Sequence, residues 1–252
     1  MKLKNKRNYV GVLSSVFAIF IGLIVGLVVL ILCNPSQAFP GFFTILTGAF
    51  THGMKGVGQV FYYATPIILT GLSVGFAFKT GVFNIGTPGQ FIMGAFGAVY
   101  AGIMWEQLGP VHWAAALLAS IVMGALWGLI PGLLKAYFNV NVVISCIMMN
   151  YIGMYLVNWS VRSNKALFNT LRNESKNVAA TAVIPKMGLD KVFPGSSVNG
   201  GILIAIAVVL LIYVLLNKTA FGYELKAVGY NQDAGKYAGI NEKRNVVAAM
   251  MI

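Results

Sequence analysis

The sequence predicts an all-α polytopic membrane protein, a helical bundle of six full spans and the start of a seventh. Three observations predict it. The 252 residues are 58% hydrophobic and 10% charged, where a soluble domain carries roughly a quarter charged residues. Six apolar windows approach the ~20 residues that a helix needs to cross a bilayer. Those windows are too long and too evenly apolar for strands of a closed barrel, the other architecture that satisfies its backbone in lipid.

The first span is read over 10–32. Its flank, MKLKNKRNYV, looks like a signal peptide. The apolar run is longer than a signal core, however, and no clean small-x-small cleavage site follows. The segment is therefore expected to stay, with Lys2, Lys4, Lys6 and Arg7 holding a cytoplasmic N-terminus. Residues 34–59 are read as external. Their middle, FPGFFTILTGAF, is apolar but short, and suits an interfacial or half-membrane helix. Further spans are read over 61–78, 85–104, 113–134, 142–161 and 200–216. An extracellular loop is expected over 162–199 and a cytoplasmic loop over 217–245. A truncated seventh span fills 246–252. The chain stops inside that apolar run, so it is expected to be a fragment of a longer protein. All of 1–252 is read as a single transmembrane domain.

Charge supports this arrangement. Of the 18 Lys and Arg residues, eleven fall inside on this topology and seven outside. Six of those seven lie in the 162–199 loop. A net charge of +12 on a soluble protein would suggest nucleic acid. Here the basic residues sit in loops and obey the positive-inside rule. The expected surroundings are a lipid bilayer, with no nucleic-acid partner.

Enzyme signatures are missing. Cys33 and Cys146 fall in or beside apolar windows and read as packed small side chains, not as a disulfide or metal pair. His52 and His112 are isolated, without acids at metal-ligand spacing. GAFTHGMK has the glycine spacing of a phosphate loop, but Met54 stands where lysine is needed. The sequence therefore points to no catalytic residue, no metal and no cofactor. The six acids are Glu106, Glu174, Asp190, Glu224, Asp233 and Glu242, all in loops or at span ends. A proton-coupled carrier ordinarily buries an acid in the membrane. Energy delivered from outside the membrane fits better.

Two stretches stand out. Asn84-Ile85-Gly86-Thr87-Pro88-Gly89-Gln90 breaks two apolar halves. Pro88 lacks an amide hydrogen, Gly86 and Gly89 permit unusual backbone, and Asn84 and Gln90 can satisfy freed backbone groups. One reading is a broken helix beside a translocation path; the other is an ordinary turn at the cytoplasmic surface. Lys79, just before it, reads as an inside anchor. The second stretch is the 217–245 loop. Glu224–Ala227 and Asp233–Ala238 are helix-forming, with Asn231 as an N-cap and Gly229 and Gly239 bracketing the second helix. Ala234, Tyr237 and Ala238 give that helix a small face suited to a groove in a partner. A solvated connector is the other reading.

The chain resembles the permeases of ATP-binding-cassette importers of the branched-chain amino acid, ribose and nucleoside type. Phe83-Asn-Ile-Gly-Thr-Pro-Gly-Gln90 looks like that family's FNIG-x-x-GQ segment, and TGLSVGFAFKTG leads into it in the same way. Gly229–Ala234 with Tyr237–Asn241 resembles its coupling loop, and Val142–Tyr151 a third segment. The likeness is strongest to the longer permease of guanosine-type nucleoside uptake systems. Thr87-Pro88 departs from it where relatives often carry a small residue then Glu, and Asn141 stands where Glu is common. The resemblance implies a transport subunit, not an enzyme, in a bacterial-type cell membrane. It implies uptake of a small polar solute, nucleosides first and sugars or branched-chain amino acids as alternatives. Its implied partners are a cytosolic ABC ATPase, a second permease chain in a heterodimer and an extracellular substrate-binding lipoprotein. It implies a path lined by Asn84, Gly86, Gly89 and Gln90. ATPase coupling would use Gly229, Asn231, Ala234, Tyr237, Gly239 and Ile240. The rival classes are an ATP-independent secondary transporter and a membrane-embedded enzyme.

Overall fold

The computed structural model describes residues 2–252, with side-chain surroundings from residue 13 onward. The basic residues Lys2, Lys4, Lys6 and Arg7 lie outside those described side chains. Packing divides the chain, read from sequence as a single domain, into two units: 1–60 with 191–197, and 61–190 with 198–252.

In the first unit, α1 (Lys2–Cys33) and α2 (Ala38–Thr51) pack together. No residue of α1 described from Leu13 onward is buried. Phe17, Phe20, Ile21 and Ile24 are all exposed. So large an apolar surface demands an apolar surrounding, and α1 is long and apolar enough to cross a membrane. α2 has 14 residues, about 21 Å at 1.5 Å per residue, which is short of a bilayer core. Its polar threonines turn inward on the helix itself: Thr44 and Thr47 donate to the carbonyls of Pro40 and Phe43.

α3 (Met54–Lys79) begins in the first unit and runs into the second. It starts seven residues before the apolar window read at 61–78, because MKGVGQV still forms helix ahead of the apolar run. The second unit continues with α4 (Thr87–Met104), a 3₁₀ turn (Glu106–Val111), α5 (His112–Phe138) and α6 (Val142–Ser163). An irregular segment follows, with a small antiparallel pair, β1 (Phe168–Asn169) and β2 (Glu174–Ser175), and a single turn, α7 (Leu189–Val192). Then come α8 (Gly201–Lys218), α9 (Ala220–Tyr230), α10 (Gln232–Tyr237) and α11 (Glu242–Met251).

The chain is thus an all-α membrane bundle, as the sequence predicts. Among the described residues, five helices are long and apolar enough to cross a membrane: those within α1, α3, α5, α6 and α8. The sixth full span, read over 85–104, is α4, and it is not among the five. Its first turn, Thr87-Pro88-Gly89-Gln90, is polar and dilutes its apolar character. α4 is instead well enclosed by protein. Gly89, Met93, Gly94, Gly97, Ala101 and Gly102 are buried along one side. A methyl group at Gly97 would lie 2.8 Å from the Ala119 carbonyl, and one at Gly94 3.2 Å from that of Ser120. α4 and α5 therefore approach backbone to backbone, the close packing that small residues permit in membranes.

The region read as a cytoplasmic loop, 217–245, is largely helical. Asn241 caps α11 by accepting from the Arg244 amide, so that helix begins at Glu242, ahead of the apolar run read from 246. Two apolar clusters hold these elements to the rest of the unit. Phe76, Ile212, Leu225 and Ala249 join α3, α8, α9 and α11. Val82, Val142, Cys146, Val246 and Met250 join the α3–α4 connection to α6 and α11.

Candidate functional site

α3 ends as a helix should when a glycine follows. Gly81 has φ +72, the left-handed geometry that glycine adopts without strain. The amides of Thr80 and Val82 both donate to the Ala77 carbonyl. The chain then runs without regular structure through Val82–Gly86 and re-enters helix at Thr87, with Pro88 in the first turn. Proline is tolerated there because that amide would lack a partner anyway.

This break is buried, and side chains from three sides close it. Asn84 is 1% exposed. Its Oδ1 accepts from the Gly86 amide at 2.8 Å, and its Nδ2 donates to Gln90 Oε1 at 3.1 Å. Gln90 Nε2 donates in turn to the Met250 carbonyl on α11 at 2.8 Å. Gly128 on α5 makes that reach possible: a methyl group there would collide with Gln90 Nε2 and the Met250 carbonyl. From α6, Asn150 donates to the Ile85 carbonyl at 3.0 Å and accepts from the Gly89 amide at 2.9 Å. It thus clamps the break on both sides. Unpaired buried backbone groups are costly, and this network pairs the Ile85 carbonyl and the Gly86 and Gly89 amides.

The four residues singled out as path residues therefore come together. Asn84 and Gln90 carry hydrogen bonds between elements. Gly86 and Gly89 sit beneath Cys146 and Asn150, too close for larger residues. Asn150 and Gln90's carbonyl partner on α11 escaped sequence reasoning, and Gly128 with Gly132 was legible only as a small-residue packing pair. Asn150 lies within a segment that could be matched, but its neighbours MMNY give no sign of a side chain reaching 65 positions back.

Beside the break lies an open groove of about 700 Å³ between α3 and the start of α4. Pro66, Ile67, Val74, Ile85, Pro88 and Phe91 make it mostly apolar, with Thr70, Asn84 and Thr87 as its polar side chains. Thr70 donates to the Pro66 carbonyl at 2.8 Å. Thr87 Oγ1 is buried and has no hydrogen-bond partner.

The coupling candidates divide into two sets. Asn231 caps α10, accepting from the Ala234 amide at 3.0 Å, as the sequence suggests. Gly239, at φ +78, ends the helix, with Ile240 N donating to the Gly235 carbonyl at 3.0 Å. Ala234, Tyr237 and Gly239 are exposed, Tyr237 at 94%. Gly229 is different, and its expected role as the leading bracket of that helix is corrected. It lies inside α9, because Tyr230 still continues the helix and Asn231 ends it. A side chain on it would collide with the Lys79 carbonyl, and Gly81 packs against its backbone. The α9 backbone thus rests directly on the turn that leads into the break. Lys79 itself points outward from that turn.

Two further observations bear on chemistry. His112 is fully buried. Its Nε2 donates to the Ala101 carbonyl and its Nδ1 accepts from the Thr181 hydroxyl, each at 2.9 Å. It fastens the stretch at Thr181 to the last turn of α4 and the start of α5. Among the described residues, no three His, Cys, Asp or Glu side chains gather where a metal could be held.

Comparison with known proteins agrees with this architecture. Residues 56–252 match the family described as branched-chain amino acid transport system / permease component. The guanosine ABC transporter permease protein NupP of Bacillus subtilis is 34% identical over 240 residues, covering 95% of this chain and 68% of that protein. The nucleoside ABC transporter permease protein NupB of Lactococcus lactis is 29% identical over 96% of this chain and 67% of its own length. A glucose ABC transporter permease protein of Haloferax volcanii is 30% identical over 90% of this chain and 61% of its own. No solved structure matches. The buried break, the multi-pass helices and these matches carry one conclusion: the chain belongs to the family of membrane-spanning permease components of ATP-binding-cassette importers.

Proposed function

We propose that this chain forms the path by which an ATP-driven importer takes nucleosides into the cell. The observation that carries the solute class is the 34% identity to a guanosine permease over 95% of the chain. The glucose permease at 30% identity favours a second reading, uptake of a sugar.

In the proposed cycle the permease hydrolyses nothing. A cytosolic ABC ATPase docks on the exposed face of α10, meeting Ala234, Tyr237 and Gly239, with Asn231 and Ile240 fixing the helix ends. Its closure on ATP pushes α9, and Gly229 passes that push to the Lys79–Gly81 turn. The break at Asn84–Gln90 then acts as the hinge. Gly86 and Gly89 allow the backbone to bend, while Asn84 and Gln90 exchange hydrogen-bond partners. A second, different permease chain completes the path, and an extracellular binding lipoprotein delivers solute to the outer face. The N-terminus is cytoplasmic and α4 crosses as the sixth full span, which sets α9 and α10 on the ATPase side.

Competition uptake in cells expressing the importer tests the solute class. Unlabelled nucleosides should suppress guanosine uptake, and leucine should leave it unchanged. Suppression by glucose alone would replace the nucleoside reading with the sugar one.

A further inference from the structure

We infer that the groove between α3 and α4 is the solute-contact site, and that the Thr87 hydroxyl is its polar anchor for a neutral, flat solute. The inference rests on the importer function proposed above and deepens it. The groove lies directly against the hinge, so a bound solute would feel every movement of the break. Its volume of about 700 Å³ falls within the ~300–1,000 Å³ range of small-molecule pockets.

The polar lining narrows the chemistry. Asn84 is sequestered by Gly86 and Gln90. Thr70 already donates to its own helix. Thr87 Oγ1 is left without a partner on a side chain that is 8% exposed. A buried, unpaired hydroxyl costs free energy, and a solute that pairs with it recovers that cost. A hydroxyl both donates and accepts, so it suits a solute hydroxyl or carbonyl.

Charge narrows it again. No Asp, Glu, Lys or Arg lines the groove. Helix N-termini often bind anions through free amides, but the first turn of α4 has few to offer. Pro88 has none, Gly89 N donates to Asn150, and Gln90 N donates to the Gly86 carbonyl. A carboxylate or zwitterion finds no counterpart here. Phe91, 53% exposed, offers a ring face, and Ile67, Val74 and Ile85 supply apolar walls. A heteroaromatic base carrying hydroxyl groups matches this lining better than an amino acid does.

The test uses the complete importer in membrane vesicles, with guanosine as the probe and glucose and leucine as alternatives. Thr87→Val keeps the shape and removes the hydroxyl; Thr87→Ser keeps the hydroxyl. Thr87→Val should raise the KM for guanosine roughly tenfold, and Thr87→Ser should stay near the parent. Should Thr87→Val assemble poorly, the Thr87→Ser and Thr87→Ala pair reads the same hydroxyl. An unchanged KM without the hydroxyl would overturn the inference, as would transport of leucine. If the parent carries glucose but no guanosine, the nucleoside reading fails by itself. The Thr87 variants then decide the anchor by the same KM difference with glucose.

Discussion

At the scale of single residues, the site is defined by which polar groups are spent and which are free. Asn150 is spent twice, on the Ile85 carbonyl and the Gly89 amide. Replacing it with leucine should lower the unfolding free energy of the detergent-solubilised chain by about 1–3 kcal/mol. That is a fall of several degrees in the thermal midpoint; an unchanged midpoint would show that the clamp carries no load. Gly128 makes the matching case for space. Gly128→Ala should cost about 1–3 kcal/mol through overpacking, read in the same melt, because Gln90 and the Met250 carbonyl already occupy the site. Much at this scale was legible in the sequence. Asn84, Gly86, Gly89 and Gln90 could be picked out because polar residues and glycines are conspicuous in an apolar run. Their partners could not. Asn150 and Met250 come from helices 65 and 160 positions away, and only folding brings them together. His112, dismissed as isolated, gains its partners in the same way from positions 101 and 181.

At the scale of elements, the proposed cycle divides the work of coupling between α9 and α10. Helical content in 217–245 was legible from its capping residues. The position of Gly229 was not, since a glycine late in a helix looks like a terminator until its neighbours are known. Its contact with Lys79 and Gly81 is why the proposed cycle uses α9 as the link between the partner surface and the hinge. Gly229→Val should therefore uncouple the machine: ATPase subunits still associate, but solute no longer stimulates hydrolysis. Loss of association instead would place Gly229 in the docking surface. Gly239 offers the opposite experiment. Nothing lies within 4 Å of a side chain built there, so the fold tolerates one at the cost of backbone strain, on the order of 1 kcal/mol. Gly239→Arg should leave membrane insertion intact and abolish ATPase capture in a pull-down. Normal capture would remove α10 from the interface. The length of α3 and the enclosure of α4 also belong to this scale. Hydropathy reads how apolar a stretch is, and so cannot tell a helix bathed in lipid from one packed by glycines against protein.

At the scale of the whole molecule, the charge pattern and the polar network describe one kind of machine. The acids lie outside α1, α3, α5, α6 and α8, in the segments between them or in the short helices from Ala220 onward. Nothing among the described residues gathers a buried proton relay of the sort that drives carriers. The break is joined by backbone contact to α9, and α10, which follows it, presents Tyr237 to solvent. The proposed cycle moves such an arrangement from outside. The most direct measurement is guanosine uptake into sealed vesicles holding the complete importer, with and without its ATPase subunit. Uptake should require the ATPase and internal or external ATP on the ATPase side, and should cease when hydrolysis is blocked. Guanosine accumulation in vesicles that hold the chain and no ATPase would contradict the account.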